Sequence, residues 1–338
     1  MLYLDGIIFS IQKYGGISTY WRELYNGLNK VNFNNRLIVY DKNSDLLVDN
    51  SNVELFNKRR LERYRSLGYL PSKSIVHSSY YRTSKQTNVI TVYDFTYEKF
   101  GKGLFDKVHI NQKKWAIKNA DIILCISENT KIDLLNYYPE AVRKKIFITH
   151  LAASNDYFNK GLDYKLRVSD PYVLFVGARS TYKNFIELVK SMKNFAGLKL
   201  YVVGGGDFSN EELLVLQECC KNRFKHFINI DNDNLNDLYN AALCLVYPSM
   251  YEGFGIPVIE AMRSGCPVIA SNSSSITEIA KDSAILLDEP NDVNIADAIN
   301  SILIENNFDY YREVGLKNAL NFSWEKTVEK TINCYREL

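Results

Sequence analysis

Short apolar runs along the chain alternate with longer stretches in which apolar residues recur every three or four positions. A short apolar run bounded by turn residues is the pattern of a buried strand. The longer spacing is that of an amphipathic helix. In the front half the strand pattern predicts Leu2–Leu4, Leu37–Tyr40, Ile75–His77, Val89–Tyr93, Ile122–Ile126 and Ile146–Thr149. In the back half it predicts Tyr172–Val176, Leu198–Val203, Phe227–Ile230, Ala242–Tyr247, Pro267–Ala270 and Ala284–Leu287. Helical patterns such as Asn184–Lys193 and Glu211–Lys221 lie between many of them. Strand, helix, strand repetition implies parallel sheets covered by helices, an α/β architecture. Two such series, parted by the polar stretch Asn159–Asp170, predict domains at residues 1–162 and 168–320 facing a cleft. A last stretch, Ser323–Leu338, carries Val328, Ile332 and Tyr335 as an apolar stripe and predicts a closing helix.

Composition narrows the class. The 338 residues suffice for two domains, and 46% hydrophobic with 24% charged residues is a globular balance. Asp5 and Gly6 interrupt the first apolar run, so the start lacks the pattern of a secretory leader. No run approaches the roughly 20 apolar residues of a membrane span. The six cysteines show no C-x-x-C spacing, and a reducing cytoplasm is the expected setting. The net charge of +2 is uneven: residues 1–160 hold 24 Lys/Arg against 15 Asp/Glu, leaving 17 against 24 in the rest. A basic front half suits an anionic partner. Within it Lys58, Arg59, Arg60, Arg63 and Arg65 interleave with Leu61, Tyr64, Leu67 and Tyr69. That cluster is either a solvated face or a contact for anionic lipid or a lipid-linked phosphate. No motif supports nucleic acid as a partner.

The segment Tyr247–Ala270 is the richest in chemistry. A strand ends at Tyr247, and Glu252 follows in a loop flanked by Gly253 and Gly255. Pro257 suits a helix start and Gly265 its stop. Glu252 therefore hangs at the carboxyl end of a strand, where open parallel sheets bind ligands. Glu260 lies on the helix just beyond. Two such carboxylates can accept hydrogen bonds from sugar hydroxyls while the helix start favours phosphate. The plain alternative is that Glu252 caps the helix and Glu260 is an ordinary first-turn acid. A second segment, Val176–Asn184, has Gly177 at a strand end followed by Arg179 and Lys183. Two cations there can neutralise a diphosphate as its bond to a sugar breaks. The alternative is a basic turn. Tyr14–Tyr20, with Gly15 and Gly16, and Gly204–Gly206 are weaker turn signals. Asp231-Asn232-Asp233 mimics a metal-binding D-x-D pattern but reads as a helix cap. No His/Cys/Asp cluster has metal-ligand spacing.

Glu252 and Glu260 within Glu-Gly-Phe-Gly-Ile-Pro, with Ser249, Ala261, Met262, Gly265, Pro267 and Val268 around them, resemble the E-x7-E signature of family four of the retaining glycosyltransferases. The resemblance extends more weakly through the front half. It implies the GT-B fold, two facing Rossmann-like domains with the final helix crossing back to the first. It implies that Glu252, with Gly253, Phe254, Gly255 and Ile256, holds the donor sugar, and that Glu260 holds the ribose. Arg179 and Lys183 would serve the diphosphate beside Gly177, while Gly15 and Gly16 would approach it from the front domain. Where many relatives carry His-Asp, this chain has Tyr93-Asp94. Tyr93 is a poor base near neutral pH, and Asp94 is either an acceptor-side base or a cap. The expectation is metal-free, cofactor-free, retaining transfer of a hexose or deoxyhexose from a nucleoside diphosphate sugar. The acceptor would be a glycan, lipid-linked at the inner membrane face, as in bacterial O-antigen or capsule synthesis. The rivals are a glycan phosphorylase, a sugar-phosphate synthase and a non-catalytic sugar-nucleotide sensor.

Overall fold

The computed structural model describes residues 1–12, 15–41, 44, 46, 52–68, 70–161 and 170–338. They form two compact units, Met1–Leu151 with Trp324–Leu338, and Ala152–Ser323. Residues 157–160 belong to the second unit, where Phe158 and Lys160 donate backbone N–H bonds to Asn236 and Asn240.

Unit one is built on seven parallel strands: β1 (Leu2–Asp5), β2 (Asn35–Val39), β3 (Val53–Leu55), β4 (Ile75–Ser78), β5 (Thr87–Val92), β6 (Ile122–Cys125) and β7 (Lys145–Ile148). Their spatial order is β3-β2-β1-β4-β5-β6-β7. The helices are α1 (Gly16–Lys30), α2 (Thr96–Phe100), α3 (Leu104–Asn119) and α4 (Glu128–Tyr137). Unit two has β8 (Tyr172–Val176), β9 (Lys199–Val203), β10 (Phe224–Phe227), β11 (Cys244–Tyr247), β12 (Val268–Ser271) and β13 (Ile285–Leu287), in the order β10-β9-β8-β11-β12-β13. Its helices are α5 (Phe185–Ser191), α6 (Asn210–Cys219), α7 (Asn232–Ala241), α8 (Ile256–Arg263), α9 (Ser274–Ala280), α10 (Asp292–Ile302) and α11 (Glu305–Ala319).

Both are doubly wound, Rossmann-like sheets. Central strands covered on both faces need continuous apolar sequence, and β8 (Tyr-Val-Leu-Phe-Val) and β11 (Cys-Leu-Val-Tyr) are buried throughout. The closing helix, α12 (Trp324–Arg336), belongs to unit one and packs against α1. The approach is close: a Cβ on Gly27 would lie 2.4 Å from Val328 Cγ2. Tyr335 on α12 reaches His77 on β4, with 2.6 Å between its hydroxyl and Nδ1. The chain thus leaves unit one after β7, completes unit two and returns.

Candidate active site

In unit two the winding reverses between β8 and β11, the point where open parallel sheets bind ligands beyond their carboxyl ends. The loops that carry Lys183 and Glu252 follow those two strands. Gly177, at φ 132°, turns the chain at the end of β8, and a Cβ there would meet nothing within 4 Å, so the strand end stays open. The Met250 N–H donates to the Tyr182 carbonyl at 2.8 Å and ties the loops together.

Lys183 Nζ lies 2.5 Å from Glu252 Oε1 and 3.5 Å from Tyr247 Oη. The two charged side chains are 14% and 11% exposed, so the ion pair is largely out of water yet reachable. Burial, followed by the Glu252 charge, pushes the Tyr247 hydroxyl well above its ordinary range, and it stays a neutral phenol. The Glu252 N–H donates to Ser274 Oγ at 2.9 Å. Ser275 Oγ donates to the Glu252 and Phe254 carbonyls, both at 2.9 Å. The Phe254 ring is buried and meets Phe322 edge-on, so this residue offers backbone rather than side chain. Gly255 has φ 102°, and a Cβ would stand 2.4 Å from Ile276 Cδ1, which leaves no room for another residue. α8 starts at Ile256 with Pro257 in its first turn. Its dipole points the positive end at this loop.

Glu260 sits one turn into α8 and is half-buried. Tyr239 Oη donates to its Oε2 at 3.0 Å, and Tyr157 meets Tyr239 edge-on at 5.9 Å. Burial raises the carboxyl from its ordinary 4.5 to about 7, against the opposing bonds from Tyr239 and Tyr157. Glu260 also adds to the upward push on Tyr247, which puts both carboxylates in one neighbourhood.

Arg179, expected beside Lys183, is engaged elsewhere. Its Nε donates to Glu212 Oε1 at 2.8 Å, and its terminal nitrogens donate to the carbonyls of Gly204, Gly206 and Asp207 at 2.7–2.9 Å. Glu212 also closes the capping box of α6 with Ser209. Arg179 therefore clamps the Gly204–Gly206 turn.

The unit-one candidates fall into place differently. Gly15 caps α1 and Gly16 begins it, while Tyr14 and Tyr69 lie outside the described residues. Tyr93 is buried, accepting from Trp21 Nε1 at 2.6 Å and donating to the Ser79 carbonyl at 3.1 Å. Burial lifts it far above its ordinary range, which removes it as a base. Asp94 Oδ1 accepts the Thr96 N–H at 2.9 Å, the capping alternative. His77 is fully buried, bonded on both ring nitrogens, and pushed down to about 3 by burial. In the basic cluster, Arg59 pairs with Glu62, and Glu62 with the buried Arg82, itself bonded to Asp5. Asp231 Oδ1 caps α7 through the Asn234 N–H, and among the described residues no group of three His, Cys, Asp or Glu is placed to hold a metal. Sequence reasoning missed Ser274, Ser275, Tyr239 and Tyr157. The Ser273–Ser275 run after a strand was a signal for the first two.

Comparison with known proteins extends this picture. Residues 163–321 match the model of the family "Glycosyl transferases group 1". The O-antigen chain mannosyltransferase B of Escherichia coli is 32% identical over 257 residues, 69% of this chain and 65% of that protein. The O-antigen chain mannosyltransferase RfbU of Salmonella typhimurium is 27% identical over 221 residues, 63% of this chain and 61% of that protein. Both matches span less than two thirds of the relative's own length. Among solved structures, sucrose-phosphate synthase from Thermosynechococcus elongatus aligns over 99% of this chain and 98% of its own, with a TM-score of 0.79 at 20% identity. The fold is GT-B.

Proposed function

The chain belongs, through residues 163–321, to the glycosyl transferases group 1 family, and on that premise we propose that it moves a hexose or deoxyhexose from a nucleoside diphosphate sugar to a hydroxyl of a glycan acceptor, with retention and without a metal. The observation that carries this reading is the Lys183–Glu252 ion pair at the carboxyl ends of the two strands where the sheet order reverses. A donor diphosphate laid over that point meets the Lys183 ammonium, which stabilises the charge that grows on the leaving oxygen. Glu252 turns to the sugar hydroxyls, helped by the Gly253–Gly255 backbone and Ile256. Glu260 accepts the ribose hydroxyls. As the bond from C1 to the diphosphate breaks, the acceptor oxygen attacks the same face, and its proton passes to a leaving phosphate oxygen. Asp94, engaged as a cap, is not needed for that step. Arg179 serves by holding the glycine turn.

The relatives named as O-antigen mannosyltransferases support a mannose donor as the first to try. The proposed acceptor is a lipid-linked glycan at the cytoplasmic membrane face. The test is a thermal-shift panel of UDP, GDP, dTDP and ADP sugars, followed by transfer assays on Glu252→Ala and Lys183→Ala. A donor at a hundred times its Kd adds about 2.7 kcal/mol. If no sugar nucleotide raises the Tm, or both variants transfer at the parent rate, the reading fails. Consumption of free phosphate instead would mark a phosphorylase.

A further inference from the structure

We infer that the outer face of α3, with the basic loop beside it, docks on a bilayer surface that carries anionic lipid. The helix turns His109, Lys113, Ala116 and Ile117 into unit one. At about 3.6 residues per turn the opposite side brings Leu104, Val108 and Trp115 into one stripe. These are 75%, 41% and 58% exposed, and Phe105 beside them is 84% exposed. Lys107, Lys114 and Lys118 run along one flank of the stripe, all exposed, and among the described residues none of the three pairs with a carboxylate. The helix's one acid, Asp106, lies about 200° around the helix from Leu104, off this face, and accepts the Gly103 N–H at 2.8 Å. The outer face is therefore apolar and cationic, with no acid to balance it.

This surface continues into the loop that the sequence marked as basic. Gln112 Nε2 donates to the Arg63 carbonyl at 2.5 Å and joins α3 to that loop, where Leu61 and Tyr64 are exposed beside Arg60 and Arg65. Apolar side chains can enter the acyl boundary while lysine stems lie along them and keep their ammonium groups at the phosphates. Indole suits that boundary, being apolar with one polar N–H. Each cation near an anionic leaflet adds to the attraction, and the effect falls off within a Debye length. A second copy is the poorer occupant, because a two-fold contact would set one lysine row against another. The docking face belongs to unit one, and the inference does not depend on the donor-site reading.

Co-sedimentation of the full chain with vesicles tests it. Wild type is expected to bind vesicles of phosphatidylcholine mixed with phosphatidylglycerol, to leave phosphatidylcholine alone unbound, and to release as salt rises. Phe105→Ser/Trp115→Ser should weaken partitioning about tenfold or more, with circular dichroism and Tm unchanged. Lys107→Glu/Lys114→Glu/Lys118→Glu should abolish the preference for phosphatidylglycerol. Absence of wild-type binding to the anionic vesicles, or unchanged binding by the Phe105/Trp115 variant, overturns the inference. So does a concentration-dependent dimer that the same variant abolishes, which would give the face to a second copy.

Discussion

Lys183 and Glu252 hold one another, and that sets what their variants should do. Removing the lysine strands a carboxylate that is 11% exposed, and breaking a largely buried pair costs about 3 kcal/mol. Lys183→Ala should therefore lower the Tm as well as cut kcat by about 100-fold. Adding Glu252→Ala should restore part of the Tm and none of the activity, which a double-mutant cycle in melting and transfer rate resolves. Glu260 makes a different prediction. Its folded value of about 7 lies above its ordinary 4.5. Between these the unfolded chain releases the proton and the folded chain keeps it. The contribution is thus fully present below about pH 4.5 and lost as pH rises to about 7, on the order of 3 kcal/mol in all. Glu260→Gln should flatten that slope in urea melts. Ribose hydroxyls donate best to the ionised carboxylate, so nucleotide affinity in calorimetry should fall as pH drops below about 7 in the parent and not in Glu260→Gln. At this scale the sequence disclosed the two glutamates and the lysine by their spacing to turn residues. It could not disclose that Tyr239, 21 positions upstream, holds Glu260, or that Arg179 spends its donors on Glu212 and three carbonyls. Those pairings are made by the fold, between segments with no local pattern in common.

At the scale of elements, α8 and its entry loop depend on backbone conformations that specific residues supply. Gly255→Ala meets both an unfavourable φ and the Ile276 methyl, and should cost about 1–3 kcal/mol while displacing Glu252. Ser275→Ala is the finer probe. It removes two bonds to the Glu252 and Phe254 carbonyls and should raise KM for the donor with little change in Tm, in a steady-state assay beside a melt. The apolar pattern located the strands well wherever both faces are covered: β8, β9, β11 and β12 fall within a residue or two of their expected spans. It located the edge strands β7 and β13 within a residue but failed at the other edge of each sheet. β3 is three residues, Val-Glu-Leu, with an exposed end, too short and polar to register. β10 is Phe-Lys-His-Phe, expected at Phe227–Ile230 and found three residues earlier, because its polar edge positions hide the alternation. Edge strands face water, so their residues are chosen for solubility more than for burial.

For the whole molecule, the consequential feature is that unit two is inserted in unit one. The chain passes out after Leu151 and comes back at Trp324, and α12 completes the packing of the first sheet. The apolar stripe of Ser323–Leu338 announced a helix. Its destination came from the family resemblance, since periodicity fixes which face is buried and not which partner buries it. In the structure Trp324, Val328, Ile332 and Tyr335 are buried, and Tyr335 satisfies a ring nitrogen of His77 while Thr91 takes the other. Removing α12 would open the α1 surface around Tyr20 and Gly27 and leave buried His77 short of a partner. Unit two makes its own core from β8, β9, α5 and α10, so it should survive the loss. A chain ending at Ser323 is therefore expected to show a protease-sensitive first unit and an intact second one that still gains Tm with the donor nucleotide. Tyr335→Phe isolates one bond of that contact and should cost about 1–3 kcal/mol in urea unfolding of the first unit. If the truncated chain melts as the full chain does, α12 does not hold unit one together.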